Sequence, residues 1–516
     1  MSTRPRRVFS PRPLRVAALL GLASAAASAR AEAQADVELV RSSVATWWET
    51  ASRKAPGTWG IAVADQSGQL IWGMEPEQPL VPASTVKLFT TGFARSVLGS
   101  DARRATRVVG NGQLNEATGQ WVGDWALELN GDVTLERGAG FGPSLTDLAT
   151  QMYAQGIRQV SGPFTVRSAV GAADATWPST WATRHRGRLF APLIGPLTLH
   201  ENVVTFTIRP TRSGQRAQLV HAAPMGVEAL VRVTAVTRNV RRSRLRFTAQ
   251  PNGTWVISGT ISSRRGARRF SATASKPAVV LEAAWASALK RSGIDWQRKA
   301  FPAPQSAAPA RILAEVTSPT LDSVASEVNR RSLNIGAELL LQWAAGRGPD
   351  AADALTRHVR TVTGRGETLR LVDGSGLSGQ DRVAPATFVS YLAKFPTTPS
   401  GRNFPQLLPA NGTGTLRRLS GNALESGVVR AKTGTLNDVS AVVGYLGRSE
   451  GVLIVSLMYN GRRTSAARRQ QWELFRRLGA DGVAIPATVD SLPDDEVQLG
   501  GDSTASPLAE APDSTR

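Results

Sequence analysis

The chain changes its hydrophobic period twice, and that double change limits the folds open to it more than any single motif does. From about Val37 to Ala51 apolar residues recur at helical spacing, and TWGIAVADQSGQLIWGM then predicts two short strands joined by a turn around Gln66 to Gly68. VPASTVKLFTTGFARSVLG returns to helical periodicity at Ser84, with Pro82 just ahead, where a missing amide hydrogen is tolerated. From about Asp101 to Lys299 the pattern becomes short alternating stretches rich in Thr, Val and Arg, such as LVRVTAVTRNVRRSRLRFTAQ, broken by Gly and Pro turns. From about Arg311 longer helical patterns come back in SPTLDSVASEVNR and SLNIGAELLLQWAA. The turn-rich DGSGLSGQDRV follows, then strand-like RAKTGTL, VSAVVGYLG and GVLIVSLMYN, and a last helix, SAARRQQWELFRRLG. A chain of 516 residues with 41% hydrophobic residues has enough apolar surface for two to four domains.

Composition removes several chemistries. The chain has no cysteine, so disulfides, thiolate nucleophiles, iron–sulfur clusters and cysteine-ligated zinc are excluded. The four histidines, His185, His200, His221 and His358, have none of the close spacings of metal motifs. No cofactor or metal is expected. The formal charge of +21 draws the protein toward anionic partners without choosing among them. Its densest basic run comprises Arg238, Arg241, Arg242, Arg244 and Arg246, followed by Arg264, Arg265, Arg268 and Arg269. No base-reading module accompanies that run, so nucleic acid is not the expected partner, whereas an anionic envelope polymer fits the charge.

Both ends differ from the middle. Arg4, Arg6, Arg7, Arg12 and Arg15 precede the apolar, small-residue stretch from Val16 to Ala27, with Ala27-Ser28-Ala29 as a cleavage site. Residues 1–29 therefore read as a signal peptide, and alternative cuts extend it as far as 35. Export to the periplasm or the extracellular cell envelope is the expectation. No later segment has the length and apolarity of a membrane span. Residues 486–516 are acidic and rich in Pro, Ser and Thr, and read as a disordered tail.

Three separated clusters carry chemistry. Ser84 and Lys87 lie one helical turn apart, so an amine can reach a hydroxyl; the pair works as base and nucleophile only if its surroundings lower the lysine pKa. Ser332 and Asn334 bring a hydroxyl that can relay a proton and an amide that can accept from a lysine and donate to a carbonyl. Lys432, Thr433, Gly434 and Thr435 bring positive charge, two hydroxyls for a carboxylate, and a glycine beside which a ligand backbone can approach. The amides of Ser84 and Thr435 are candidate oxyanion donors. Each cluster alone also reads as an ordinary helix cap, turn or strand end.

Taken in order, Ser-x-x-Lys, Ser-x-Asn and Lys-Thr-Gly correspond to the signatures of penicillin-binding proteins and class A β-lactamases. With GDVTLERGAG, APLIGPLTLHENVVTFTIRP, VNRRSLNIGAELLL, LVDGSGLSGQDRV and GTGTLRRL, the chain resembles the D-alanyl-D-alanine carboxypeptidase/endopeptidase family, the class C low-molecular-mass penicillin-binding proteins of peptidase family S13. The 248 residues from Ser84 to Ser332 match that class. The resemblance implies an α/β fold: a serine β-lactamase/transpeptidase-like domain with an antiparallel sheet and helices, interrupted by two inserted, mainly β domains. The catalytic domain would comprise residues 37–100 and 300–480, and the insertion 101–299.

The resemblance further implies hydrolysis of D-Ala-D-Ala bonds in peptidoglycan stem peptides through a Ser84 acyl-enzyme, and covalent inhibition by β-lactam antibiotics. Of the catalytic residues, Lys87 and Ser332 would carry the proton transfers, Asn334 would hold the lysine and the acyl-side amide, and Lys432 would orient the terminal carboxylate with Thr433 and Thr435, which with Gly434 would bind substrate. Cleavage of cross-bridges, an endopeptidase activity, is implied as well. A β-lactamase-like or esterase-like hydrolase and a noncatalytic peptidoglycan-binding protein are the alternatives. The family's Asp ahead of the proline region is absent near Gly142-Pro143, and Asp373 to Gly376 reads as support of the cleft.

Overall fold

The computed structural model describes residues 14–138, 140–298, 310–348, 350–419 and 424–485, with side chains from Ala31 onward except Ala33. Arg4, Arg6, Arg7 and Arg12 of the expected leader, the division expected at 299/300 and the acidic stretch 486–516 lie outside the described residues. The first helix runs Leu14–Lys54, well ahead of the start near Val37 that its periodicity predicts. No helix among the described residues is long and apolar enough to cross a membrane.

A five-stranded antiparallel sheet organises the chain's two ends. Its order is Val429–Leu436, Val439–Arg448, Gly451–Asn460, Thr58–Ala64 and Leu70–Met74, so a strand near the start pairs with one nearly four hundred residues later, Ile61 facing Leu457. Strand Val439–Arg448 is buried almost throughout because helices cover both faces, which explains its continuous apolar run. On one face Val40, Val44, Trp47 and Ala51, spaced as a helical stripe, meet Trp472, Phe475 and Leu478 of the last helix, Thr464–Leu478. On the other lie helices Lys87–Leu98, Leu321–Arg331, Asn334–Ala345, Asp350–Thr363 and Pro385–Lys394. There Phe89 stacks on Phe388 at 4.7 Å between ring centroids.

Between these halves the described residues build three further sheets. The six-stranded one has the order Asp295–Gln297, Gln159–Ser161, Gln120–Leu129, Ala105–Asn115 and Arg311–Thr317, with Phe164–Ser168 also pairing Gln120–Leu129. Strand Arg311–Thr317 thus belongs to the sheet of the intervening segment, beyond the 299/300 division expected from the sequence. The others are the three-stranded Arg268–Thr273, Val203–Arg209 and Gln218–Ala223, and a four-stranded sheet centred on Trp255–Ser262. Two helices, Leu145–Ala154 and Pro277–Arg291, accompany these strands, and one apolar cluster containing Trp121, Trp125, Phe206, Trp255 and Trp285 joins all of them.

Candidate active site

Ser84 lies on a 3₁₀ turn, Ala83–Val86, and Lys87 opens the following helix. In a 3₁₀ turn side chains three apart nearly eclipse, so Lys87 stands directly over Ser84. The preceding Ala83 is held in the left-handed region at φ +50°, which costs about 1 kcal/mol and must be enforced by packing. Two glycines provide that packing. A Cβ on Gly376, itself at φ +72°, would meet the Ala83 carbonyl oxygen at 1.9 Å, and one on Gly434 would meet the Pro82 oxygen at 2.5 Å and the Ser84 nitrogen at 3.2 Å. On its Cβ side Gly434 thus faces the chain's own turn.

Lys87 is fully buried, and its Nζ has three oxygen neighbours: Ser84 Oγ at 2.9 Å, Asn334 Oδ1 at 2.7 Å and the Ser375 carbonyl at 2.6 Å. An ammonium donates to all three. A neutral amine has two hydrogens and one lone pair, and only the hydroxyl among these partners can donate back. Neutral Lys87 therefore donates to Asn334 and Ser375 and accepts from Ser84, the arrangement a base needs to activate this nucleophile. Burial lowers the Lys87 pKa to about 7, against the opposing pull of Asp373, Glu338 and Asp381.

Ser332 and Asn334 come from the joint between two helices. Ser332 ends Leu321–Arg331 as its C-terminal cap, in the left-handed region at φ +60°, and Asn334 begins the next helix. Asn334 is oriented at both ends of its amide: Oδ1 accepts from Lys87 and Nδ2 donates to the Phe190 carbonyl at 2.8 Å. Lys432, buried on strand Val429–Leu436, donates to Ser332 Oγ at 2.8 Å and to the Thr433 carbonyl at 2.7 Å. Burial, with the charges of Lys87 and Arg468, holds its pKa well below the usual lysine value. All three clusters thus converge through two lysines, with Thr433 buried and Thr435 exposed beside them.

Several contributors have little or no sequence signal. Arg468 on the last helix donates to the Gly434 carbonyl at 2.8 Å and Thr435 Oγ1 at 3.2 Å, adding a second cation to the Lys-Thr-Gly-Thr edge. The loop Asp373 to Gly376, read only as support, supplies the Ser375 carbonyl to Lys87. Asp373 shapes that loop by accepting from the amides of Ser375, Gly376 and Ser378 and from Trp181 Nε1. Glu338 accepts from the Gly374 amide at 3.1 Å; its one signal was an acid inside the apolar run NIGAELLLQ. Burial, then the Asp373 charge, raises Glu338 to about 8, and burial raises Asp381 well above the carboxylate range.

The intervening segment also reaches the site. Besides Phe190 and Trp181, Glu201 makes a bidentate pair with Arg331, next to Ser332, and Arg137 bridges Glu201 and Glu327. These ion pairs are largely buried.

The D-Ala-D-Ala carboxypeptidase 3 (S13) family model matches residues 50–478. A D-alanyl-D-alanine carboxypeptidase of Actinomadura sp. (strain R39) is 29% identical over 464 residues, covering 81% of this chain and 80% of that protein. D-alanyl-D-alanine carboxypeptidase DacB of Haemophilus influenzae is 22% identical over 423 residues, covering 78% of this chain and 85% of that protein. The crystal structure of penicillin binding protein 4 from Haemophilus influenzae has the same fold, with a TM-score of 0.66 at 20% identity over 83% of this chain and 98% of that one. The family match spans the great majority of the described residues, all three motif clusters included, and on that extent the chain belongs to the D-Ala-D-Ala carboxypeptidase 3 (S13) family and is an enzyme of the peptidase class.

Proposed function

We propose that the protein hydrolyses the D-Ala-D-Ala bond of peptidoglycan stem peptides through an ester on Ser84, and that it also opens D-alanyl cross-bridges. Neutral Lys87 takes the Ser84 proton as Oγ bonds to the scissile carbonyl carbon. The negative oxygen that forms turns toward the amides of Ser84 and Thr435. As the C–N bond breaks, the Ser332 hydroxyl, held by Lys432, gives its proton to the departing D-alanine nitrogen and takes up the one Lys87 removed from Ser84, leaving Lys87 neutral again. Asn334 keeps the Lys87 amine in line, and Thr433, Thr435 and the charges of Lys432 and Arg468 hold the terminal carboxylate. Gly434 keeps the strand close against the Ser84 turn. Water then attacks the ester and restores Ser84.

The observation that carries this reading is the trio of acceptors around Lys87 Nζ, because it gives the neutral amine one place to accept a proton and that place is Ser84 Oγ. The leader-like N-terminal pattern supports work outside the cytoplasm, in the periplasm or cell envelope. We assign residues 37–100 and 300–480 to the catalytic unit, with the return strand Arg311–Thr317 shared with the insertion.

β-Lactams mimic the acyl donor, so a labelled penicillin is expected to leave a lasting adduct on Ser84 after denaturation. Digestion of purified muropeptides is expected to release D-alanine and monomers from dimers, and Ser84→Ala to abolish adduct, D-alanine and monomer alike. Unchanged D-alanine release by Ser84→Ala would remove Ser84 as the nucleophile; rapid penicillin turnover without adduct would identify a β-lactamase instead.

A further inference from the structure

Positive charge is distributed unevenly along the chain. Residues 202–281 hold fourteen Arg and Lys against a single acid, Glu228, and so carry most of the net charge of +21. Elsewhere several arginines are in ion pairs, among them Arg95 with Asp322, Arg137 with Glu327, Arg331 with Glu201 and Arg448 with Asp36. Among the described residues no arginine from Arg209 to Arg269 is in an ion pair, and all are exposed.

Strand register gathers four of them on one surface. Antiparallel pairing sets Arg244 opposite Thr260 and Arg246 opposite Ser258, while parallel pairing sets Arg232 beside Val256 and Arg238 beside Ser262. Alternate residues share a face, so Arg232, Arg238, Arg244 and Arg246 stand on the side away from Ile257 and Ile261, which are buried in the core. The adjoining turns add Arg241, Arg242, Arg264 and Arg265. Such a concentration of like charge repels itself in the free protein and is relieved by an anion.

We propose that this face docks the enzyme on a linear polyphosphodiester of the cell envelope. Arginine forks match phosphate oxygens in bidentate fashion, and the charges are spread over an open face and its turns, suited to the repeated charges of a chain. A membrane-inserting face carries large apolar side chains among its cations. Here Leu245 and Phe247 turn into the core, and between residues 229 and 281 Val240 is the one exposed large apolar side chain, at 36%. Stacking platforms for nucleic-acid bases are likewise missing from this face, since Phe247, Trp255 and Phe270 all pack into the apolar cluster.

The test measures binding of fluorescent poly(glycerol phosphate) to the full chain between 50 and 200 mM salt. The wild type is expected to bind, with log K falling linearly against log salt. Replacing three arginines together (Arg232→Ser, Arg244→Ser, Arg246→Ser) is expected to weaken binding at least tenfold at 50 mM salt and to reduce the slope by about 2, at roughly 0.7 for each phosphate left without its arginine. Circular dichroism and the urea midpoint verify folding. The turn variant Arg264→Ser with Arg265→Ser carries the same expectation, with a slope change of about 1.4, should the triple variant fail to fold. Wild-type affinity in the folded variants, binding indifferent to salt, or binding to phosphatidylglycerol vesicles but not to the soluble polymer would overturn the proposal.

Discussion

Lys432 donates a hydrogen bond from its buried amine to Ser332 Oγ at 2.8 Å, joining the edge strand to the joint between two helices. If the Ser332 hydroxyl relays the proton to the leaving nitrogen, Ser332→Ala slows the release of D-alanine by about 10²–10⁴-fold. Stopped assays on a stem peptide measure this; a rate within threefold of wild type removes Ser332 from the relay.

Lys87 acts as a base only when neutral, and its pKa lies at about 7. Acylation by penicillin is therefore expected to rise with pH through that value and to drop tenfold per unit well below it, because the proton must leave the amine before Ser84 can be activated. Lys87→Arg keeps a cation that cannot be deprotonated and is expected to lose acylation at every pH. A flat wild-type profile from pH 5 to 9 would contradict the assignment.

Glu338 has its pKa raised from 4.5 to about 8 by burial and by Asp373. The folded state then binds more protons than the unfolded state between those values, so stability falls as pH climbs through that window. Glu338→Gln lacks this loss. From pH 5 to 8 the wild type should lose on the order of a few kcal/mol relative to the variant in urea unfolding, and a difference that stays constant over that range would show Glu338 to be ionised throughout.

Gly376 lies so close to Ala83 that an added methyl group overlaps its carbonyl oxygen. Gly376→Ala must push the Ser84 turn away or break the left-handed conformation, and is expected to cost about 1–3 kcal/mol. Acylation should slow at least tenfold, because the displaced atom is next to the nucleophile. Normal acylation with normal stability would mean the turn has slack.

Glu201 holds Arg331 and Arg137 at the seam between the intervening segment and the Ser332 joint. Removing the acid with Glu201→Ala takes away one of the carboxylates shared by Arg137 and Arg331, which keep Glu327, and is expected to cost less than the roughly 3 kcal/mol of a fully broken buried pair. D-Alanine release should fall more than the stability loss explains, since Arg331 precedes Ser332. Full activity in the folded variant would uncouple the seam from catalysis.

The local patterns in the sequence were sufficient for the strands Thr58–Ala64 and Leu70–Met74, the helices around Ser332 and the apolar strands near the end, because period and turn residues are local properties. They were insufficient where a different interaction competes. The first helix begins earlier than its amphipathic stripe, and Arg311–Thr317 joins a sheet by pairing with Ala105–Asn115, a choice made by edge hydrogen bonds across some two hundred residues.

For the candidate site, residue types and order point to Ser84, Lys87, Ser332, Asn334 and Lys432, since each bears a group that the proposed chemistry needs in a short spacing. What tertiary structure alone decided is their electrical state. The Ser375 carbonyl, the buried carboxyls of Glu338 and Asp381, the Phe190 carbonyl and Arg468 come from distant segments. Desolvation and Coulomb interactions depend on distance in space, which no linear spacing encodes; burial lowers the Lys87 amine to a pKa of about 7, against the raising pull of the nearby carboxyls.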